Sequence, residues 1–380
     1  MSQQEMKQRL DNSKECKIPV VGGIINWWSD LVGRWHSFIR AEKKQKIHSI
    51  IEFILSKGLI IILIAVAIFT VVVDPKFISW SSIVNIVTQT SGNMFMALGI
   101  AGIILLTGTD LSAGRIAAFL TCIVIAFMQT RKTIFIHMGS VPFIVPLLIV
   151  VVIGAGIGFI NGFFVAKFKL HSFIVTLSVQ FVMLSVIVLF LGLNGNNAQS
   201  LSGVDDSFYN IMNGGITIAG VTIKWIILYG ILATIIVWFI WNKTRLGKNM
   251  YAVGCNQEAA TVSGISVFWI TIIVFSMAGV LYGISAFVGA SWSGAAGTTT
   301  AQNAELYAIA ACVIGGVSFS GGVGKISGVV FGVFMIQMLR VALQYLQGAG
   351  IIEGGIINLI LGAVILLSVV IDMRKYLVKR

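Results

Sequence analysis

Ten apolar runs, near 58–73, 83–107, 111–130, 142–166, 172–193, 223–241, 269–290, 304–317, 327–346 and 355–371, follow one another with little chain between them. Most approach the roughly 20 apolar residues that carry a helix across about 30 Å of hydrocarbon. A backbone in lipid must satisfy its own hydrogen bonds, so such a succession folds as a bundle of helices. We therefore expect an all-α, polytopic membrane protein of about ten transmembrane helices. The run 304–317 is short, and a hairpin that does not fully cross stays open there. Composition agrees: 57% of residues are hydrophobic and 11% charged, against about 25% charged in soluble domains. Disordered chains, disulfide scaffolds and ordinary cytosolic enzymes are excluded.

An even number of spans places both ends on one side, and the cations say which. Of 26 Lys and Arg, 21 fall in the tail and in the segments on the same side as it, including Arg115, Lys167, Lys243, Arg245, Lys248 and Lys325. Lys76, Arg131, Lys132 and Lys224 fall on the other side, and Arg340 lies within a run. The positive-inside rule then predicts cytoplasmic N- and C-termini. The formal charge of +12 is accounted for by the anionic inner leaflet, with no need for nucleic acid. Residues 1–57 read as a basic cytoplasmic tail in which Ile24, Trp28, Leu31, Trp35 and Phe38 recur at helical spacing beside Arg and Lys, a pattern suited to an interfacial amphipathic helix. No cleavable leader is expected, because the first apolar run of the tail is too short. Residues 58–376 are expected to form one membrane domain, with a long inside loop at 242–268. The four cysteines are scattered, without metal spacing, and read as reduced structural thiols.

Catalytic motifs are scarce. Gly324-Lys325 fails the phosphate-loop pattern, with Phe319 in place of the first Gly and Ile326 in place of Ser/Thr. No HExxH and no metal-ligand cluster occurs, so the chain is not expected to be an enzyme or to hydrolyse ATP itself. The informative polar residues lie in or beside the runs. Asn85, Gln89 and Asn93 make one stripe at a spacing of four. Asp110 and Arg115 are read as structural, either as a pair that fixes a helix break or with Asp110 capping the third helix, against direct solute contact. Glu305 follows a polar stretch and either meets a solute or complements a helix N-terminus. Arg340 and Glu353 are read as pairing across helices or snorkelling. Gly154, Gly158 and Gly162, then Gly279 with Gly283, then Gly324, Gly328 and Gly332, give small-residue rows that let helices approach closely.

The loop 242–268 is the most specific feature. It opens on Lys243, Arg245, Gly247 and Lys248 and reaches Glu258-Ala259-Ala260, with Gly264 four residues beyond. Glu-Ala-Ala favours helix, and a glycine at that offset can end one. A docking knob and an ordinary loop helix both fit the spacing. The same run resembles the EAA loop of ABC importer permeases, where a short coupling helix sits in a groove of the ATPase subunit. With 108–115, 242–249 and 308–324 in the same order, the chain resembles the type II ABC importer-like sugar-permease family that includes ribose and galactose/methylgalactoside permeases. The likeness spans roughly 58–376, except that Tyr307 stands where the family has an aspartate and that 291–304 departs from its pattern.

The resemblance implies a permease subunit of a bacterial cytoplasmic membrane that imports a sugar, galactose or a methylgalactoside, by alternating access; a nucleoside is the alternative within the family. Implied partners are a second permease in a homodimer or pseudo-dimer, a cytosolic ABC ATPase that uses the ATP, and an extracytoplasmic solute-binding protein docking chiefly on 194–222. No cofactor is bound directly. Arg245, Gly247, Glu258, Ala259, Ala260 and Gly264 would couple to the ATPase. Asn85, Gln89 and Asn93, with Glu305 and Tyr307, would line the path. An ion-coupled secondary transporter is the rival from another class, but it leaves the 258–264 helix unexplained. A lipid-modifying enzyme lacks a catalytic constellation.

Overall fold

The structure, a computed structural model, describes residues 61–377 apart from 138 and 219. The basic tail and its expected interfacial helix lie outside the described residues. An apolar helix occupies every predicted run: α1 (Ile61–Val73), α2 (Trp80–Leu105), α3 (Ala113–Met128), α4 (Ile144–Phe168) and α5 (Ser172–Leu191), followed after an interval by α7 (Trp225–Lys243), α10 (Val267–Ser293), α11 (Ala304–Ile314), α12 (Ile326–Gly348) and α13 (Gly354–Leu377). Between them lie α6 (Asp206–Asn213), α8 (Arg245–Cys255) and α9 (Gln257–Val262). Among the described residues five helices, α4, α5, α7, α10 and α12, are long and apolar enough to cross a membrane. With 26 residues, α2 is about 39 Å long. Residues 80–93 are less apolar than those five helices because they include Asn85, Thr88, Gln89, Thr90, Ser91 and Asn93.

The expectation of an all-helical chain needs one correction. Four short strands occur among the described residues. Leu201–Ser202 (β1) pairs antiparallel with Ala295–Ala296 (β4), and Gly215–Ile218 (β2) pairs with Val221–Lys224 (β3). All lie at the end of the bundle opposite α8 and α9, where the hydrophilic stretch 194–222 also forms α6. There Ser291 Oγ donates to the Phe208 carbonyl at 2.6 Å, and Phe208 packs edge-on against Phe287, so α6 is fixed to the end of α10. A cavity of about 610 Å³ opens at this end beside Gln129, Lys132 and Asp205. Hydrogen bonds from Ser207 hold the Asp205 carboxyl below its usual range.

The bundle has an apolar core and an apolar exterior as well. On α4 the buried residues include Gly154, Gly158, Asn161 and Gly162, while Val152, Phe159, Ile160 and Phe164 face outward. Leu189, Ile236 and Leu359 are likewise exposed on other helices. Apolar surface this extensive fits lipid. Hydrocarbon offers no hydrophobic drive between helices, so close backbone contact must supply the packing. The glycine rows do this. A Cβ on Gly154 would overlap the Gly279 carbonyl, and one on Gly279 would overlap the Gly154 carbonyl. Gly315 and Gly328 make the same reciprocal contact between the end of α11 and α12.

Candidate functional site

The loop 242–268 folds as two capped helices. Thr244 Oγ1 accepts from the Gly247 amide at 3.3 Å and starts α8. Asn256 Oδ1 accepts from the Ala259 amide at 3.0 Å and starts α9. At the other end of α9 the Gly264 amide donates to the Thr261 carbonyl and the Ile265 amide to the Ala260 carbonyl, both at 3.0 Å. With Gly264 at φ +81° this is a Schellman ending, which a residue with a Cβ forms only under strain. Ala260 alone is buried in α9; Glu258, Ala259 and Thr261 are exposed, and Val262 is 90% exposed. An apolar side chain so bare on so short a helix is a feature the sequence reading missed. A cavity of about 560 Å³ lies between α9 and the α4–α5 turn, with Glu258 and Thr261 on one wall and Lys169 and His171 on the other.

Helix α8 connects this displayed helix to the core. Gly247 lies against the Trp241 carbonyl at the end of α7, with no room for a Cβ, and Arg245 is exposed. Gly254 lies against the Leu105 carbonyl at the end of α2 and against Gly322. The Gly322 amide donates to the Leu105 carbonyl at 2.9 Å, and Tyr251 Oη donates to the Gly324 carbonyl at 2.7 Å. Burial raises the Tyr251 phenol above its usual range, so it stays a neutral donor. The glycine-rich turn 315–324 joins α11 to α12. Segments far apart in sequence, at 251–255 and 315–324, thus meet in one place.

The other end of the α11–α12 pair borders a narrow crevice that carries three polar side chains. Asn93 from α2, Tyr307 from α11 and Gln337 from α12 face it, among apolar residues such as Met96, Ala97, Ala308, Val333 and Ile336. The stripe on α2 leads toward it: Gln89 Nε2 donates to Asn85 Oδ1 at 3.4 Å, and Asn93 Nδ2 donates to the Gln89 carbonyl at 2.9 Å. The Arg340 guanidinium lies over the Tyr307 ring at 5.1 Å, so its part here is a cation–π contact beside the crevice. Gln337 sits inside an apolar run and carried no sequence signal beyond being a lone amide there.

Asp110 and Arg115 are not partners: among the described residues no ion pair joins them. Asp110 is not the N-cap residue either, since α3 starts after Ser112. Its carboxylate instead accepts from the Ser112 amide at 2.9 Å, the Ser112 hydroxyl at 2.6 Å and Tyr282 Oη at 3.0 Å. Asn161 Nδ2 donates to Ser112 Oγ at 3.1 Å, so α3, α4 and α10 are tied at one buried point. Arg115 Nη1 donates to the Thr298 carbonyl at 2.8 Å, and the buried Glu305 carboxylate packs on Gly114. Glu305 therefore faces the start of α3, while Tyr307 and Asn93 face the crevice; the five proposed path residues do not form one group. Replacing Tyr282 with Phe should cost about 1 kcal/mol, seen as a lower midpoint of thermal unfolding in detergent; an unchanged midpoint would show that this bond adds no net stability.

The family model for the branched-chain amino acid transport system / permease component matches residues 82–369. The chain belongs to this permease family. It is 36% identical over 335 residues to the galactose/methyl galactoside import permease of Escherichia coli (strain K12), covering 87% of this chain and 98% of that one. The corresponding permease of Haemophilus influenzae is 36% identical over 310 residues, covering 81% and 90%. The ribose import permease of Escherichia coli (strain K12) is 30% identical over 319 residues, covering 84% and 94%. No solved structure matches. The permease's described part contains no group of three or more His, Cys, Asp or Glu that could hold a metal ion.

Proposed function

We propose that this permease is the membrane subunit of an ATP-driven importer that passes galactose or a methyl galactoside to the cytoplasm by alternating access. The observation that carries the mechanism is the continuous contact from the exposed helix α9, through α8, to the glycine turn 315–324 that joins α11 and α12. A cytosolic ATPase gripping α9 moves α8, and α8 moves the two helices that border the crevice. Arg245, Glu258 and Ala259 lie on the exposed side of this device. Gly247, Ala260 and Gly264 give it its shape. The name of the close relatives supports a galactoside, as does a crevice whose lining residues are uncharged.

In this reading the α8–α9 end faces the cytoplasm, together with both termini, in the cytoplasmic membrane. Ten crossings follow if α1, α2, α3 and α13 accompany the five long helices and if 295–303 and α11 cross together. An 11-residue helix spans only about 16 Å, roughly half the hydrocarbon, and the strand and turns of 295–303 before it supply the rest. A solute-binding protein docks at the opposite end, on the surface built by α6, β1–β4 and the β2–β3 hairpin. A second permease completes the pathway. Reconstitution in vesicles with the ATPase and the binding protein tests the whole. Galactose and methyl galactosides should stimulate ATP hydrolysis and enter the vesicles. Stimulation by nucleosides alone would overturn the galactoside assignment, and uptake without ATP would overturn the class.

A further inference from the structure

The Gln337 side chain is 2% exposed, and its Oε1 has no hydrogen-bond partner. A buried amide oxygen without a donor is costly in any protein, and in a membrane bundle no solvent relieves it. An apolar residue of the same length would pack there without that cost. Gln337 borders the crevice that Asn93 and Tyr307 also line. Three helices thus bring an unpaired acceptor, a second amide and an aromatic ring to one place. Open space there amounts to about 10 Å³, which barely admits one water. The crevice is therefore closed in this conformation, and α11 and α12, which the α8 contacts reach, are the helices whose separation would open it.

We infer that Gln337 is a selectivity-setting residue of the transport path, its Oε1 accepting a hydrogen bond from a hydroxyl of the passing solute when α2, α11 and α12 part. The chemistry of the crevice defines the class. Amides meet hydroxyls as donors and acceptors, the Tyr307 ring offers a face to C–H groups, and Arg340 is engaged over that ring. This set fits a neutral polyhydroxylated solute and gives a carboxylate or phosphate no free cation to meet. Few contacts at one narrow point let the solute leave again, which transport requires.

The inference rests on the importer reading, and the test separates the two. Gln337→Met and Gln337→Leu are reconstituted with the same ATPase and the same binding protein as the wild type, so that the binding protein's own selectivity cancels. Uptake and stimulated ATP hydrolysis are measured for galactose and its monodeoxy analogues. Both variants should match or exceed the wild type in thermal stability, because each removes an unpaired buried acceptor. Galactose uptake should fall roughly tenfold, the value of one hydrogen bond. The analogue lacking the contacted hydroxyl should lose little, so the ratio between the two sugars collapses. Wild-type rates and ratios in both variants would overturn the role of Gln337 and leave the importer reading standing. A uniform loss for every solute together with lower stability would assign Gln337 to packing and overturn it as well. A wild type that no sugar stimulates would sink the importer reading and this inference with it.

Discussion

Gly279→Ala should leave little folded permease in the membrane, although it adds one methyl group to a helix. That methyl would overlap the Gly154 carbonyl of α4, and the reciprocal change at Gly154 would overlap the Gly279 carbonyl. The clash is with backbone, so no rotamer relieves it, and α4 and α10 must separate. Gly158, held against the Phe275 carbonyl, and Gly283, held against Val150, lose their contacts in the same movement. Overpacking in a close-packed interior costs about 1–3 kcal/mol per site. Separating two helices whose association depends on that approach costs more. The same helices supply the controls. At Gly156 on α4 and Gly289 on α10 an added methyl would have nothing within 4 Å, so alanine there should be neutral or slightly stabilising. The measurement is the yield of monodisperse protein and its thermal midpoint in detergent. Equal behaviour of Gly279→Ala and Gly289→Ala would remove the glycine contact as the basis of the fold.

Sequence periodicity locates the helices well because lipid imposes a simple rule on them. An apolar stretch of the right length has no alternative to helix, and every run forms one. Helix α9 is legible for a local reason: Glu-Ala-Ala, with a glycine four residues on, encodes both the helix and its end. Contacts between distant segments are not legible. Nothing in Leu201–Ser202 points to Ala295–Ala296 as its strand partner. The Tyr282 hydroxyl reaches Asp110 across 172 positions, and an apolar run containing a tyrosine looks like any other. Sequence suggests neighbours first, and so puts Asp110 at the N-cap or beside Arg115. In the fold its carboxylate holds Ser112 and Tyr282, and Arg115 turns to Thr298. Of the residues proposed for the path, Asn93 and Tyr307 meet at the crevice, with Asn85 and Gln89 above them on the same stripe. Glu305 lies elsewhere because the step from 305 to 307 turns the side chain to another face of the helix. Gln337 escapes a sequence reading because a single amide in a long apolar helix has no pattern to mark it; its unpaired oxygen is visible only in three dimensions.

Glu258→Lys and Gly264→Val should each separate the permease from its ATPase while the bundle stays folded. The bundle is spared because Ala260 alone in α9 is buried, so little packing depends on the helix. Glu258 lies in the first turn, where a negative charge is favoured by the helix N-terminus and a positive one is disfavoured by about 0.3–1 kcal/mol. On the proposed coupling role, the larger effect would fall on the partner, which would meet a reversed charge on the exposed helix. A change of about 1.4 kcal/mol is tenfold in affinity, and a reversed charge in contact exceeds that. Gly264→Val acts through shape. Gly264 has φ +81° and open space around it, so valine meets no neighbour but is strained in that backbone region. The Schellman bonds from Gly264 and Ile265 are then lost, and the end of α9 that presents Val262 changes direction. Gly350 provides a matched control: its φ is +74°, it too has open space, and it follows α12 at the opposite end of the bundle. Gly350→Val carries the same local strain and should keep the ATPase. The readout is the amount of ATPase recovered with tagged permease from membranes, alongside the permease's own thermal midpoint. Both coupling variants should recover at least tenfold less ATPase at an unchanged midpoint. Recovery equal to wild type in both would show that α9 is an ordinary loop helix and that the ATPase holds the permease elsewhere.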